Sequence, residues 1–256
     1  MRNPVRLAYG QGMAEDLPPP PPSLLAGAAL FLDFDGTLVE LAEAPDAICV
    51  PAELPGLLQR LGERLGGRLA IVSGRSLADL DRHVHVGGVA MSGSHGLELR
   101  LADGTLRPLA RPPGLDEARD EIARFAAQGG GLLVEEKPAS VALHFRQAPE
   151  READVASLMH RLAERGGFVV QHGKMVAELR PAGADKGDAL RALMREPAFA
   201  GARPLFMGDD LTDEHAFEAA AALGGAGVLV GPMRESAAAY RLDGVAEVAA
   251  WLRAAA

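Results

Sequence analysis

The chain has 256 residues, of which 48% are hydrophobic and 24% are charged, and its formal net charge is −9. This length suits one large globular domain, or a core that carries a smaller second domain. The negative charge argues against a nucleic-acid partner, whose phosphates need a basic face, and no uncharged stretch is long enough to span a bilayer. The single cysteine, Cys49, excludes an internal disulfide and a cysteine-based zinc site.

The first 23 residues predict a disordered tail. Residues 18–22 are all proline, a composition typical of polyproline II or of disorder, and a proline-rich motif for a partner is the alternative. The residues before them lack the apolar core of a secretory signal. We therefore expect a cytoplasmic protein with no membrane partner, whose folded part begins near residue 24.

Strands and helices alternate after the tail. Two short apolar runs, AALFLDFD at 28–35 and RLAIVSGR at 68–75, are typical of buried parallel strands. Leucines at helical spacing follow the first run at 51–67, and a second helix follows the other run at 76–84. A hairpin is predicted at 97–109. This order of elements indicates a parallel sheet with helices on both faces.

The middle of the chain changes character after a proline- and glycine-rich boundary at 111–115. The pattern beyond it predicts a helix, two strands, a helix and two strands, at residues 115–128, 131–146, 150–167 and 167–181. We expect these elements to form a compact α+β unit at 111–181, an open-faced sheet with two helices. The unit would be inserted into the parallel core.

The core pattern resumes at residue 182 and continues to the end of the chain. It predicts a helix at 184–196, a strand at 203–210, a helix at 213–225 and a last short strand at 227–231. Two helical stretches that reach Trp251 are predicted after this strand. Residues 24–110 and 182–256 together therefore predict an α/β fold with a Rossmann-like parallel-sheet core.

Polar residues follow three of the predicted core strands. Asp33, Ser73 and Asp209 each stand where a strand ends, and Lys186 begins a helix. Ligands of an open parallel sheet bind outside the carboxyl ends of its strands, so we expect these side chains to converge there. Carboxylates so close together repel one another, and the arrangement needs positive charge beside them.

These segments, D33FD35GT, Ser73, Lys186 and G208D209D210, resemble the four motifs of the haloacid-dehalogenase superfamily of aspartate-dependent phosphohydrolases. The resemblance implies that Asp33 is the nucleophile that accepts the phosphoryl group. It implies that Asp35 is the general acid and then the general base. Ser73, Gly74 and Lys186 would bind the phosphate.

The same resemblance implies a Mg²⁺ cofactor. Its ligands would be the Asp33 carboxylate, the Asp35 backbone carbonyl and Asp209, with Asp210 and Asp213 close enough to bind directly or through water.

The inserted unit is similar to the cap that many sugar phosphatases of this superfamily carry. Within that group GDDLTDE, SGSHGLE, EEKPASVALHFR and HGKMVAELRP look like the trehalose-6-phosphate phosphatases, over most of residues 25–250. This resemblance assigns sugar-binding roles to cap residues Glu135, Lys137 and Glu178 and, less directly, to His144 and Arg146. It places Arg75 and His95 of the core at the entrance of the site.

The function implied is Mg²⁺-dependent hydrolysis of trehalose 6-phosphate to trehalose and phosphate through an aspartyl-phosphate, as a step of trehalose biosynthesis. The alternatives are a sucrose-phosphate or mannosylglycerate-phosphate phosphatase of the same superfamily, a sugar phosphomutase, and a non-catalytic sugar-phosphate sensor. We expect a monomer whose partner is a small sugar phosphate.

Overall fold

The computed structural model describes residues 16–42, 48–107, 113–137, 139–173, 175–182 and 185–256. Twelve strands are found in these ranges: β1 Ala28–Leu32, β2 Leu69–Val72, β3 Ala90–Gly93, β4 Glu98–Arg100, β5 Leu106–Arg107, β6 Leu133–Glu136, β7 Val141–His144, β8 Phe168–Gly173, β9 Val176–Pro181, β10 Arg203–Gly208, β11 Ala226–Val230 and β12 Tyr240–Leu242. Seven α-helices accompany them: α1 Leu54–Arg64, α2 Leu77–His83, α3 Leu115–Ala127, α4 Glu152–Gly166, α5 Lys186–Met194, α6 Glu214–Ala222 and α7 Val245–Ala255.

The larger sheet has eight strands in the order β12-β11-β10-β1-β2-β3-β4-β5. Pairing is parallel from β12 to β3 and antiparallel at β4 and β5, which form the predicted hairpin. Strand β1 is central, and its side chains alternate between two cores. Leu30 and Leu32 pack in the core that includes α1 and α7, whereas Ala29 and Phe31 pack in the core that includes α5 and α6. The predicted α/β class is therefore confirmed.

The smaller sheet has four antiparallel strands in the order β6-β7-β9-β8. One face packs on α3 and α4 through a separate apolar cluster that includes Ile122, Leu158 and Leu179. The other face carries Glu135, Ala142 and Glu178 in one cross-strand row. The predicted domain boundaries lie beside residues 108–112 and 183–184, outside the described ranges, so the division into core and cap stays a prediction.

The end of the chain differs from the prediction. We expected β11 to be the last strand and two helical stretches to follow it, but the first of these regions contains β12. Tyr240 and Leu242 pair in parallel with Val228 and Val230 of β11. This edge strand has only three residues, and its pattern is too short to stand out in an alanine-rich sequence. Its pairing with β11 decides its structure.

Residues 16–23, predicted as part of the tail, contact the core. The Trp251 indole N–H donates to the Pro20 carbonyl oxygen at 2.7 Å, and the Arg241 backbone N–H donates to the Pro18 carbonyl oxygen at 3.0 Å. Pro20 is buried. The prediction of disorder is therefore wrong for this proline run, and the remainder of the predicted tail, residues 1–15, lies outside the described residues. None of the helices that the structure describes has the length and apolarity needed to cross a membrane.

Candidate active site

The site is centred on Asp33, which directly follows the central strand β1. Its backbone N–H donates to the Met207 carbonyl oxygen at 2.9 Å, which ties the end of β1 to the end of β10. Its carboxylate oxygen Oδ1 lies 2.8 Å from the Lys186 Nζ, and the same ammonium lies 2.6 Å from Oδ1 of Asp213. All three residues are at most 4% exposed. The first residue of α5 is thus brought between two buried carboxylates.

Three carboxylates form an acidic cluster: Asp33, Asp209 and Asp213 offer oxygen atoms that all lie within 4.8 Å of one another. With all three ionised, the cluster and Lys186 carry three negative charges and one positive charge, which leaves −2. An all-oxygen donor set with this charge fits a hard divalent cation such as Mg²⁺. These three carboxylates are therefore suitable ligands for Mg²⁺.

Burial and mutual repulsion change the proton affinities in this acidic cluster. Burial raises the pKa of Asp33 to about 6, although Lys186 opposes the rise. Burial and the nearby charge of Asp33 raise the pKa of Asp213 to about 7. Burial, with the charge of Asp213, also raises the pKa of Asp209. Burial acts to lower the pKa of Lys186, but the charges of Asp33 and Asp213 outweigh burial and raise that pKa. One ammonium does not neutralise the cluster.

Gly36 allows the loop after β1 to pass close to Asp209. Its φ is +75°, in the left-handed region that favours glycine, and a Cβ there would lie 2.1 Å from the Asp209 Oδ2. The next residue, Thr37, is buried and donates through its hydroxyl to the Asp209 Oδ1 at 3.4 Å. The DFDGT sequence thus provides both the Asp33 carboxylate and the space and hydrogen bond that hold Asp209.

Asp210, predicted as a possible metal ligand, is used differently. Its exposed carboxylate accepts a hydrogen bond from the Leu211 N–H at 2.6 Å and caps the short 3₁₀ helix Leu211–Asp213. Asp213, at the end of that helix, receives the Asp210 N–H at 2.9 Å through Oδ2 and joins the acidic cluster through its carboxylate. The 3₁₀ turn brings the later of the two acids inward. Of the two acids that the sequence offered as direct or water-mediated ligands, the structure places Asp213 in the acidic cluster.

Asp35 is turned toward a different partner, Arg75. Its carboxylate oxygens accept hydrogen bonds from the Arg75 Nε at 2.7 Å and Nη2 at 2.8 Å. Arg75 was expected at the entrance of the site as a sugar contact. Its side chain is only 10% exposed, and its guanidinium binds two carboxylates, those of Asp35 and Asp79. Its position therefore supports Asp35 rather than a contact with the sugar.

Ser73, Gly74 and His95 contact one another after the end of β2, where the His95 backbone N–H donates to the Ser73 carbonyl oxygen at 3.1 Å. The buried Ser73 hydroxyl accepts from the Arg75 N–H at 3.1 Å. The His95 ring lies against Gly74, where a Cβ would lie 2.7 Å from the ring and therefore has no room. His95 has φ 56° and ψ 37°, a left-handed conformation that is uncommon for residues other than glycine. Burial, together with the charges of Lys186 and Arg180, lowers the pKa of His95 to about 4, so the ring is neutral at pH 7.

The predicted cap residues form two pairs on the open face of the smaller sheet. The Lys137 ammonium donates to the Glu178 Oε2 at 2.8 Å, and the His144 Nε2 lies 2.8 Å from the Glu135 Oε2. Arg146 is exposed and, with His144, lines a cavity of about 520 Å³ beside the start of β6 and the end of β7. Because Arg180 and Glu178 of β9 both influence the charge state of His95, this face lies close to the core site.

Two residues that the sequence reasoning did not select support the site. Arg234, in the loop after β11, donates to the Asp210 carbonyl oxygen at 2.9 Å and pairs with Glu214. Ser140, which is buried, donates to the Glu178 Oε1 at 2.6 Å. Neither residue is an acid that directly follows a predicted strand. The surrounding sequence therefore does not distinguish Arg234 or Ser140 from other polar residues in loops.

Comparison with known proteins identifies the family to which this chain belongs. The family model described as Trehalose-phosphatase matches residues 31–246. A protein of Sinorhizobium fredii named Probable trehalose-phosphate phosphatase is 44% identical over 206 residues, 80% of this chain and 78% of the relative. The chain belongs to the trehalose-phosphatase family. This confirms the resemblance on which the prediction of a phosphoric monoester hydrolase depended.

Two further members of the trehalose-phosphatase family match over most of their length. The Trehalose-6-phosphate phosphatase of Escherichia coli is 38% identical over 235 residues, 90% of this chain and 87% of the relative. The structure of the Aspergillus fumigatus trehalose-6-phosphate phosphatase matches with a TM-score of 0.66 and 28% identity, and covers 93% of this chain and 98% of that one.

Proposed function

We propose that this protein hydrolyses trehalose 6-phosphate to trehalose and phosphate, through an aspartyl-phosphate on Asp33 and with Mg²⁺ as cofactor. The observation that carries the proposal is the buried Asp33 carboxylate, which lies 2.8 Å from the Lys186 ammonium within a cluster of three carboxylates. Membership of the trehalose-phosphatase family supports the choice of substrate. The proposed setting is trehalose biosynthesis by a cytoplasmic, monomeric enzyme.

In the first step, an Asp33 carboxylate oxygen forms a bond to phosphorus while the bond from phosphorus to the sugar oxygen breaks. The departing oxygen takes a proton from Asp35, so that an alcohol leaves instead of an alkoxide. In the second step, Asp35 accepts a proton from water, the water oxygen attacks phosphorus, and the bond to Asp33 breaks. Phosphate is released and both aspartates return to their starting states. A covalent intermediate divides one difficult hydrolysis into two displacements.

Electrostatic repulsion is the main obstacle to this attack. A carboxylate and one phosphate charge 4 Å apart repel by about 1 kcal/mol in water and by about 4 kcal/mol at an effective dielectric constant of 20. The Lys186 ammonium, 2.8 Å from Asp33, partly offsets the repulsion. It would also stabilise the negative charge of the phosphoryl group during transfer. Ser73 and the backbone at Gly74 are the further phosphate contacts that we propose.

Asp33, Asp209 and Asp213 would hold the Mg²⁺ ion, with the backbone carbonyl of Asp35 as a fourth donor. When bound, the ion would neutralise the excess negative charge and act as a Lewis acid toward the phosphoryl oxygens. Arg234 and Thr37 fix the segments that carry Asp209, so these residues keep the donors in place.

The open face of the smaller sheet supplies groups that suit a disaccharide. Carboxylates accept hydrogen bonds from sugar hydroxyls and an ammonium donates them, so Glu178, Lys137, Glu135 and His144 are the proposed sugar contacts. The neutral His95 ring offers one donor and one acceptor from the core side.

Ser140 provides a test of this sugar site, because its hydroxyl holds one oxygen of Glu178 and Lys137 holds the other. In Ser140→Ala we expect KM for trehalose 6-phosphate to rise about five-fold, roughly 1 kcal/mol, with kcat unchanged. Steady-state kinetics measure both. Ser157→Ala is the matched control, since that hydroxyl bonds to the Ala153 carbonyl oxygen on the exposed side of α4. A fall in kcat with KM unchanged would contradict the assignment.

A phosphate-release screen with Mg²⁺ tests the proposed substrate. We expect trehalose 6-phosphate to give the highest kcat/KM, and we expect chelation of the metal to abolish release. Equal values on sucrose, mannosylglycerate and trehalose phosphates would overturn the substrate assignment. Isomerised sugar phosphate without free phosphate would show a phosphomutase, and binding without turnover of any sugar phosphate would show a sensor.

A further inference from the structure

Arg75 joins two carboxylates that stand on different elements. Its Nε and Nη2 donate to Asp35 on the loop after β1, at 2.7 and 2.8 Å, and its Nη1 donates to Asp79 on α2 at 2.7 Å. The Arg75 and Asp79 side chains are 10% and 17% exposed. A guanidinium that binds a carboxylate through two parallel N–H groups fixes the plane of that carboxylate as well as its position.

Asp79 is held independently of the substrate site. It stands in the first turn of α2, where its backbone N–H donates to the hydroxyl of the N-cap residue Ser76 at 3.1 Å. Its second carboxylate oxygen accepts from the Arg82 Nη2 at 2.7 Å. The start of a packed helix therefore sets the place of Asp79, and Asp79 in turn sets the orientation of Arg75.

Asp35 needs such support because it lies in a loop. Within the described ranges, an isolated bridge to Val39 is the one pairing of its backbone, and the left-handed Gly36 follows it. Without a fixed partner its carboxylate would sample several rotamers. The two Arg75 N–H groups occupy one lone pair on each oxygen, and a carboxylate has about four such sites, so both oxygens keep one for proton transfer.

We propose that Asp79 is a positioning residue, which acts through Arg75 to hold the carboxylate of Asp35 where it delivers a proton to the leaving sugar oxygen. This inference rests on the proposed function, in which Asp35 is the general acid. It assigns a positioning role to an acid whose carboxylate binds Arg75 and Arg82. Small losses of alignment are costly in proton transfer, since a misplacement of about 1 Å reduces rates by up to roughly a hundred-fold.

Two substrates that differ in their leaving groups test the proposal. A sugar alkoxide needs a proton to leave, whereas p-nitrophenolate leaves without one. The ratio kcat/KM reports the steps through phosphoryl transfer to Asp33, which include departure of the leaving group. In Asp79→Ala we expect kcat/KM for trehalose 6-phosphate to fall about ten-fold and that for p-nitrophenyl phosphate to stay within about two-fold.

Three further variants complete the experiment. Asp35→Asn should show the same selective loss, but a larger one. Asp79→Asn should lose less than Asp79→Ala, because its amide oxygen still accepts from Arg75, and its near-identical shape preserves the fold. Asp81→Ala is the matched control: this acid of the same helix pairs with Arg100 at 2.6 and 2.8 Å, and both substrates should keep wild-type values.

Equal losses on both substrates in the Asp79 variants would show a purely structural role, and no loss on either would show no role; each result overturns the proposal. A failure of the proposed function is distinguishable. In that case wild-type protein would prefer another sugar phosphate, and the same comparison would be made with that sugar phosphate against p-nitrophenyl phosphate.

Discussion

Replacing Lys186 with methionine is expected to lower kcat/KM for trehalose 6-phosphate about a thousand-fold or more, because the transferring phosphoryl group loses its cation. The fold should also lose about 3–5 kcal/mol of stability, the usual cost of removing one partner from a buried ion pair. Both Asp33 and Asp213 would be left without the ammonium that now lies 2.8 and 2.6 Å from them. Phosphate release and denaturant unfolding measure the two effects.

Lys137→Met is the matched control for stability. Lys137 also pairs with a carboxylate at 2.8 Å, but its side chain is 31% exposed. Solvent screens such pairs, so its removal should change the unfolding free energy by no more than about 1 kcal/mol. If Lys186→Met released phosphate within ten-fold of the wild-type rate, the role assigned to Lys186 in phosphoryl transfer would be wrong.

Stability without metal is expected to fall as the pH rises from about 4 to about 7. The pKa of Asp33 is about 6 and that of Asp213 about 7 in the folded chain, against an ordinary value of 3.8. In this window the folded state binds more protons than the unfolded state, so rising pH favours unfolding. The stabilisation is fully present below the unfolded pKa and is lost as the pH passes the two folded values.

Mg²⁺ should reverse this trend, because it binds the ionised carboxylates. At pH 8 and a Mg²⁺ concentration about a hundred-fold above Kd, we expect the melting temperature to rise by about 5–10 °C, with little change at pH 5. His95 has a lowered pKa, so its contribution to the stability of the folded chain increases as the pH rises, opposite to that of the two aspartates. At pH 8 the His95 ring is neutral in both the folded and the unfolded chain, so it does not affect the melting temperatures compared at that pH.

Two asparagine variants separate the acids of the GDDLTDE segment. Asp213→Asn should lose most of the Mg²⁺ response, since Asp213 belongs to the acidic cluster. Asp210→Asn should keep it, since Asp210 caps the short helix. The reverse pattern would make Asp210 the ligand in place of Asp213 and contradict the ligand set assigned from the structure.

The convergence of Asp33, Ser73, Asp209 and Lys186 was predictable because it follows from the fold class. Parallel strands bring their carboxyl ends to one edge, and a motif at each strand end therefore reaches the same place. The choice between Asp210 and Asp213, both named as possible ligands, was not predictable, because a single 3₁₀ turn decides which of these two nearby acids points inward. The pairing of Arg75 with Asp35 joins residues 40 positions apart and depends on where α2 begins.

The missed strand β12 has a similar cause. Three residues at a sheet edge carry too little pattern, and their structure is decided by pairing with β11. The proline run was misjudged because composition describes the isolated chain. In the folded protein, carbonyl oxygens of Pro18 and Pro20 accept hydrogen bonds from Arg241 and Trp251, far away in the sequence.

The proposed function is tested most directly by phosphate release from trehalose 6-phosphate with Mg²⁺, measured for wild-type protein and for Asp33→Asn, with melting curves to show that both are folded. We expect rapid release by the wild-type protein and none by the variant, because an amide cannot take up the phosphoryl group. Release by Asp33→Asn at the wild-type rate would contradict the proposed function.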